Sequence, residues 1–193
     1  MFRLFARKAP RRPVVVVRLN ARLKPLDRGA AFGDAVDAWL AENGFGEVTG
    51  GGTAFTPGEG VSSCDLEVEA EATTPEFLAA LAEKLDALGA PVGSKLILDN
   101  GGEIPIGVVE GLAVHVNGTD LPDAVYESSS LEELRTLLDA ALSGRGRVLS
   151  DHHGATESSL YLYGDSAAAM QTAIADVLAS YPLCERARLE KIA

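Results

Sequence analysis

From Val14 to Ile192 the chain alternates strand-like runs with stretches of helical spacing. Val14-Val-Val-Val-Arg-Leu19 is short and β-branched, which predicts a strand near the middle of a sheet. Phe32, Val36, Trp39 and Leu40 recur at helical spacing and predict a helix over 31–42, stopped by Asn43-Gly44. Gly46–Phe55 reads as a strand interrupted by Gly50-Gly51-Gly52, a run that suggests a bulge or a close backbone approach. In Leu66-Glu-Val-Glu-Ala-Glu-Ala72 strict alternation turns Leu66, Val68 and Ala70 inward and Glu67, Glu69 and Glu71 outward. Thr74-Pro75-Glu76 opens a second helix, carried by Phe77, Leu78, Leu81, Leu85 and Leu88. Ser94–Leu98 completes a first β-α-β-β-α-β series.

Asp99–Gly107 is dense in turn residues and reads as a linker over 100–107, after which the pattern restarts. Gly111–Asn117 is a strand, and Ser130-Leu-Glu-Glu133 is a capping box opening a helix through Leu134, Leu137, Leu138 and Leu142. A hairpin over 147–164 follows, then a helix capped by Asp165-Ser166 with Met170, Ile174, Val177 and Leu178 on its apolar face, then a strand over 187–192. The fold class predicted is α+β: duplicated ferredoxin-like βαββαβ units over 13–99 and 108–193. Each has an antiparallel sheet with both helices on one face, and a basic arm over 1–12 precedes them. Aligning the hairpins sets Gly50–Thr53 over His152–Ala155. The face of each sheet without helices is free to pack on another sheet, hold a ligand, or meet a second copy as a homodimer.

Charge narrows the partners. The chain carries −11, but all 28 acids lie beyond residue 13 and five of the 17 basic residues lie before it. The body therefore sets 12 basic against 28 acidic residues, a net −16. Nucleic acid needs clustered Lys and Arg and is not expected to bind there. A basic protein or a small molecule is. No apolar run is long enough to span a bilayer, nothing at the start reads as a secretory signal, and two cysteines make no disulfide framework. A cytoplasmic location is expected.

Gly154-Ala-Thr-Glu157, Leu160-Tyr-Leu-Tyr-Gly164, Tyr181-Pro-Leu-Cys184 and the ending Ala187-Arg-Leu-Glu-Lys-Ile-Ala193 resemble the closing segment of a family of uncharacterised bacterial proteins. The resemblance covers roughly the second unit. It implies no activity and no catalytic residue.

Phosphate-binding loops, paired-cysteine zinc motifs and nucleophile elbows are absent from the sequence, and no cofactor or metal is expected. All three histidines lie in the second half. His115 falls between Val114 and Val116 and so points away from its unit's core, on the strand beside the one carrying Tyr161 and Tyr163. Their counterparts in the first half are Glu67 and Glu69. The candidate ligand or interface set is therefore His115, Asp151, His152, His153, Glu157, Tyr161 and Tyr163, with Glu67, Glu69 and Glu71 as an acidic face. Adjacent His152 and His153 point to opposite faces, so only one of them joins His115.

Three readings follow. One is a non-enzymatic interaction protein whose acidic body meets a basic partner, as inhibitor or immunity-type proteins do. Another is a regulatory module holding a small ligand between its units. The third is a small enzyme using the histidine hairpin.

Overall fold

The structure, a computed structural model, describes residues 11–56 and 60–193. The first unit runs β1 (Val14–Leu19), α1 (Pro25–Arg28), α2 (Asp34–Asn43), β2 (Gly46–Gly50), β3 (Thr53–Thr56), β4 (Gly60–Ala70), α3 (Pro75–Ala87), β5 (Ser94–Leu98) and β6 (Glu103–Ile106). The second runs β7 (Glu110–Asn117), α4 (Asp123–Ser128), α5 (Leu131–Leu142), β8 (Gly146–His153), β9 (Glu157–Gly164), α6 (Ala167–Ala173), α7 (Ala175–Ser180) and β10 (Arg188–Lys191).

The sheets are ordered β2-β4-β1-β5 and β10-β7-β9-β8, and every pair of neighbouring named strands is antiparallel. Outer strands apart, these are one order traversed in opposite directions, so the protein is a tandem of two ferredoxin-like α+β units. Alternation drives each sheet: β1 buries Val15, Val17 and Leu19 while Arg18 stays exposed. The helices start where their caps place them. Thr74 Oγ1 accepts from the Phe77 N–H at 3.2 Å, and Ser130 Oγ from Glu133 N–H at 3.1 Å.

Some boundaries differ from expectation. The first helical stretch begins at Pro25, not residue 31, because proline suits a first turn. A single π-helical turn over Gly29–Gly33 then joins α1 to α2. Part of the expected linker is β6, which extends the sheet beyond β5 and ties Glu103 to Lys95 at 2.7 Å. The hairpin alignment shifts as well. Both sheets carry a bulge at the same place: Val48 faces Val68 and then Gly50 faces Glu67, as Val148 faces Leu162 and then Ser150 faces Tyr161. Gly50 thus corresponds to Ser150, and Gly52 to His152.

The units meet asymmetrically. Ala113, Tyr161 and Tyr163 project from the helix-free face of the second sheet into one buried cluster with Ala21 and Leu23, which follow β1. The Arg22 N–H donates to Tyr163 Oη at 2.7 Å, the Ser150 hydroxyl donates to Asp27 at 2.6 Å, and Lys24 reaches Asp151 at 2.8 Å. Of the uses expected for that face, packing is the one seen over Tyr161 and Tyr163: the chain between β1 and α2 covers it. The matching face of the first sheet stays at the surface with Glu67 and Glu71 exposed and Glu69 half-buried. Of the basic arm only Arg11 and Arg12 are described, and Arg12 pairs with Glu71 at 2.7 Å. Among the described residues no helix is long and apolar enough to cross a membrane.

Candidate functional site

Where the covered face emerges from under the first unit, a cleft of about 670 Å³ opens between the units. Its floor is the register of three strands. His115 on β7 faces Ser159 on β9 and Arg188 on β10, so the three side chains share one face. Glu190, two residues beyond Arg188, lies on that face too. The first unit supplies Asn20 and Arg22 from the segment after β1, and Ser62 from β4.

His115 is 5% exposed and fully engaged. Its Nδ1 lies 2.8 Å from Ser159 Oγ and 3.1 Å from Glu157 Oε1, and its Nε2 lies 3.1 Å from Glu190 Oε2. Each carboxylate is held in turn by a guanidinium. Arg188 Nη2 sits 3.0 Å from Glu157 Oε1, and Arg22 Nη2 sits 2.8 Å from Glu190 Oε1. Arg22 also lies over the Tyr161 ring, 5.6 Å from its centroid. The cluster therefore spans both units, with the imidazole at its centre.

Burial lowers the His115 pKa from its ordinary value, with Arg188 acting the same way, against the upward pull of Glu157 and Glu190. Glu190 is itself held below the usual carboxylate range by Arg22 and His115, which outweigh its own partial burial. A neutral imidazole has one N–H and one lone pair to place. Among the described residues Ser159 is the ring neighbour with a hydroxyl hydrogen to give, so a neutral ring is best served by Ser159 donating to Nδ1 and Nε2–H donating to Glu190, with Glu157 held by Arg188 rather than by the ring.

The sign of the pH effect follows. A histidine whose folded pKa is depressed binds its proton more readily when unfolded, so its contribution is complete above the unfolded value and is lost as pH falls through the folded one. Melting temperature should hold above about pH 6.5 and drop below it, and His115→Gln should flatten the drop. A wild-type melting temperature that rises on acidification through this range would show that the two carboxylates win and the imidazolium is the native form.

The candidate residues divide. His115, His152 and Glu157 line the cleft, and the bulge before Ser150 is the reason His152 rather than His153 does so. Without that extra residue Asp151 and His153 would take the cleft face. Instead Asp151 and His153 lie on the opposite side, 3.2 Å apart, beside Arg135 of α5. They are not part of this site. Tyr161 and Tyr163, at 1% and 4% exposure, are seam residues. His152 packs edge-on against Phe55 at 6.2 Å between ring centroids, and its Nε2 is buried without a hydrogen-bond partner among the described residues. Gly60 comes so close to this ring that a Cβ there would lie 2.9 Å from it.

Sequence reasoning missed Ser159, Arg188, Glu190 and Arg22. The first three had a signal, since Ser159 alternates in phase with Tyr161, and Arg188 and Glu190 flank the core-facing Leu189 on their own strand. Arg22 had none, because it lies past the end of β1 where strand parity stops. Cys64 and Cys184 are buried thiols, and burial pushes the Cys184 pKa up to about 11, so neither is a reactive group. No cluster of three or more His, Cys, Asp or Glu side chains among the described residues is arranged to hold a metal ion.

No family model and no curated protein matches the chain. Among solved structures it is similar to a candidate monooxygenase of Fusobacterium nucleatum, at 10% identity over 93% of this chain and 91% of that one, with a TM-score of 0.32. The first two RRM domains of the yeast poly(U)-binding protein match at 13% identity, 94% and 99% coverage and a TM-score of 0.24. An anthrone oxidase-like protein matches at 12% identity, 94% coverage of each chain and a TM-score of 0.22.

Proposed function

We propose that the protein binds a small polar molecule in the cleft between its two units, with His115 and Ser159 as the floor and Arg22 and Arg188 as the cationic walls. One observation carries this reading: a nearly buried imidazole bracketed by two carboxylates, each braced by an arginine, at the base of a cleft. Desolvating such a cluster offsets much of its own attraction, and apolar side chains of similar size would hold the seam as well or better. Stability alone is therefore a poor reason for these residues. A volume of about 670 Å³ suits a metabolite-sized ligand. Both units wall the cleft, so a ligand there would bias how they dock, which supports a regulatory role.

The test is a thermal-shift screen of small carboxylates, amino acids, phosphates and esters. A ligand present at 100 times its Kd raises stability by about 2.7 kcal/mol, or roughly 5–11 °C for a chain of this size. That rise should shrink in Arg188→Ala. A screen in which no compound raises the wild-type melting temperature would count against the reading.

A second reading rests on Glu67, Glu69 and Glu71, which form an acidic face suited to a basic protein. Arg12 already occupies part of it, reaching Glu71 at 2.7 Å and Glu69 at 3.9 Å. This interaction role predicts capture of a basic protein that weakens steeply with salt.

A further inference from the structure

We infer that Ser159, His115 and Glu190 form a nucleophile–base–carboxylate relay, and that the cleft hydrolyses small carboxylic esters through an acyl-Ser159 intermediate. The inference rests on the cleft being the ligand site and adds a reaction to it. The three groups stand in line: Ser159 Oγ to His115 Nδ1 at 2.8 Å, then His115 Nε2 to Glu190 Oε2 at 3.1 Å. Both contacts fall within the range such relays require, a nucleophile within hydrogen-bond reach of a base that a third group orients. Here Glu190 is that third group. Held by Arg22 at 2.8 Å, it fixes the tautomer that leaves Nδ1 free to take the Ser159 proton.

The surroundings favour the step. As Oγ bonds to the acyl carbon, its proton passes to Nδ1 and the carbonyl π pair moves onto oxygen. The imidazolium so formed then has a carboxylate at each nitrogen, Glu157 at 3.1 Å and Glu190 at 3.1 Å. Negative charge on the carbonyl oxygen develops in a cleft that Arg188 also lines. Collapse expels the alcohol, which leaves with the proton from Nδ1. Water then attacks the acyl-serine, giving a proton to Nδ1 that returns to Ser159 Oγ as the carboxylic acid departs. The net change is ester plus water to acid plus alcohol, with no other reactant.

The alternatives are weaker. The cavity beside Arg135, Asp151 and His153 holds no nucleophile, and its Asp151 is already bound by Lys24. The acidic face has no second feature pointing to a ligand.

The test treats the whole protein with a fluorophosphonate, whose phosphorus reacts with an activated serine hydroxyl, and locates the adduct by peptide mass spectrometry. A single adduct on Ser159 is expected, absent from Ser159→Ala. Its rate should fall about 10²–10⁴-fold in His115→Gln and in Glu190→Gln, as loss of a general base or its orienting carboxylate does elsewhere. A folded wild-type protein that takes no adduct, or takes it at another residue, overturns the relay. If it takes none while a compound still raises the melting temperature through Arg188, the binding reading stands and the hydrolytic one falls. If neither occurs, both fall.

Discussion

Replacing Tyr161 with alanine should destabilise the protein by about 3–5 kcal/mol, the range for removing a buried aromatic ring. The melting temperature should fall roughly 6–20 °C. Tyr161 is 1% exposed, although its strand turns it away from the core of its own unit. What buries it is the first unit, through the cluster containing Ala21 and Leu23 and through the Arg22 guanidinium over its ring. Tyr161→Phe keeps the ring and should melt close to wild type. If Tyr161→Ala also melts like wild type, the second sheet's helix-free face is uncovered in solution, and the cleft beside it loses one wall.

Gly107→Ala should also cost at least about 3 kcal/mol, because it combines a left-handed backbone with a collision against main chain. Gly107 has φ +108°, and a Cβ there would lie 2.0 Å from the Pro91 carbonyl oxygen. Neither partner can yield easily. The Gly107 N–H is fixed to Asp86 at 2.7 Å, and just beyond it the Val92 N–H donates to Val109 at 2.8 Å where the chain crosses between units. Thermal unfolding of the variant measures the cost. A melting temperature within a degree or two of wild type would mean that this crossing bends freely.

Much of this architecture is legible in the sequence because alternation and helical spacing are local. The run from Leu66 to Ala70 declares its inward side, and the caps at Thr74 and Ser130 mark where helices start. Which face of a sheet is covered is not local. By alternation alone Tyr161 and Glu67 occupy equivalent outward positions, yet one is buried under the other unit and the other faces water. The same holds at the next equivalent pair. Arg18 and Asp65 make an exposed ion pair at 3.0 Å in the first unit, where the second has His115 and Ser159 in contact at the cleft floor.

The bulge is the other reason for partial success. Parity shows that only one of His152 and His153 can join His115, but which one depends on an extra residue between Val148 and Ser150. In the first unit a glycine run accompanies the bulge, whereas in the second it falls at Leu149 with no glycine to mark it. Arg22 was hidden for a different reason. Its role comes from docking between units, and no pattern within a strand encodes that.

The cleft as the functional site is tested most directly by the imidazole ¹⁵N resonances of His115, followed while the best-stabilising compound from the screen is added. Nδ1 and Nε2 report separately on the Ser159 and Glu190 contacts, 2.8 Å and 3.1 Å away. The account predicts that the ligand shifts both resonances saturably, with the same midpoint as the thermal stabilisation, while His153 on the far side of the sheet stays still. A ligand that stabilises the protein and moves His153 but leaves His115 unchanged would contradict it.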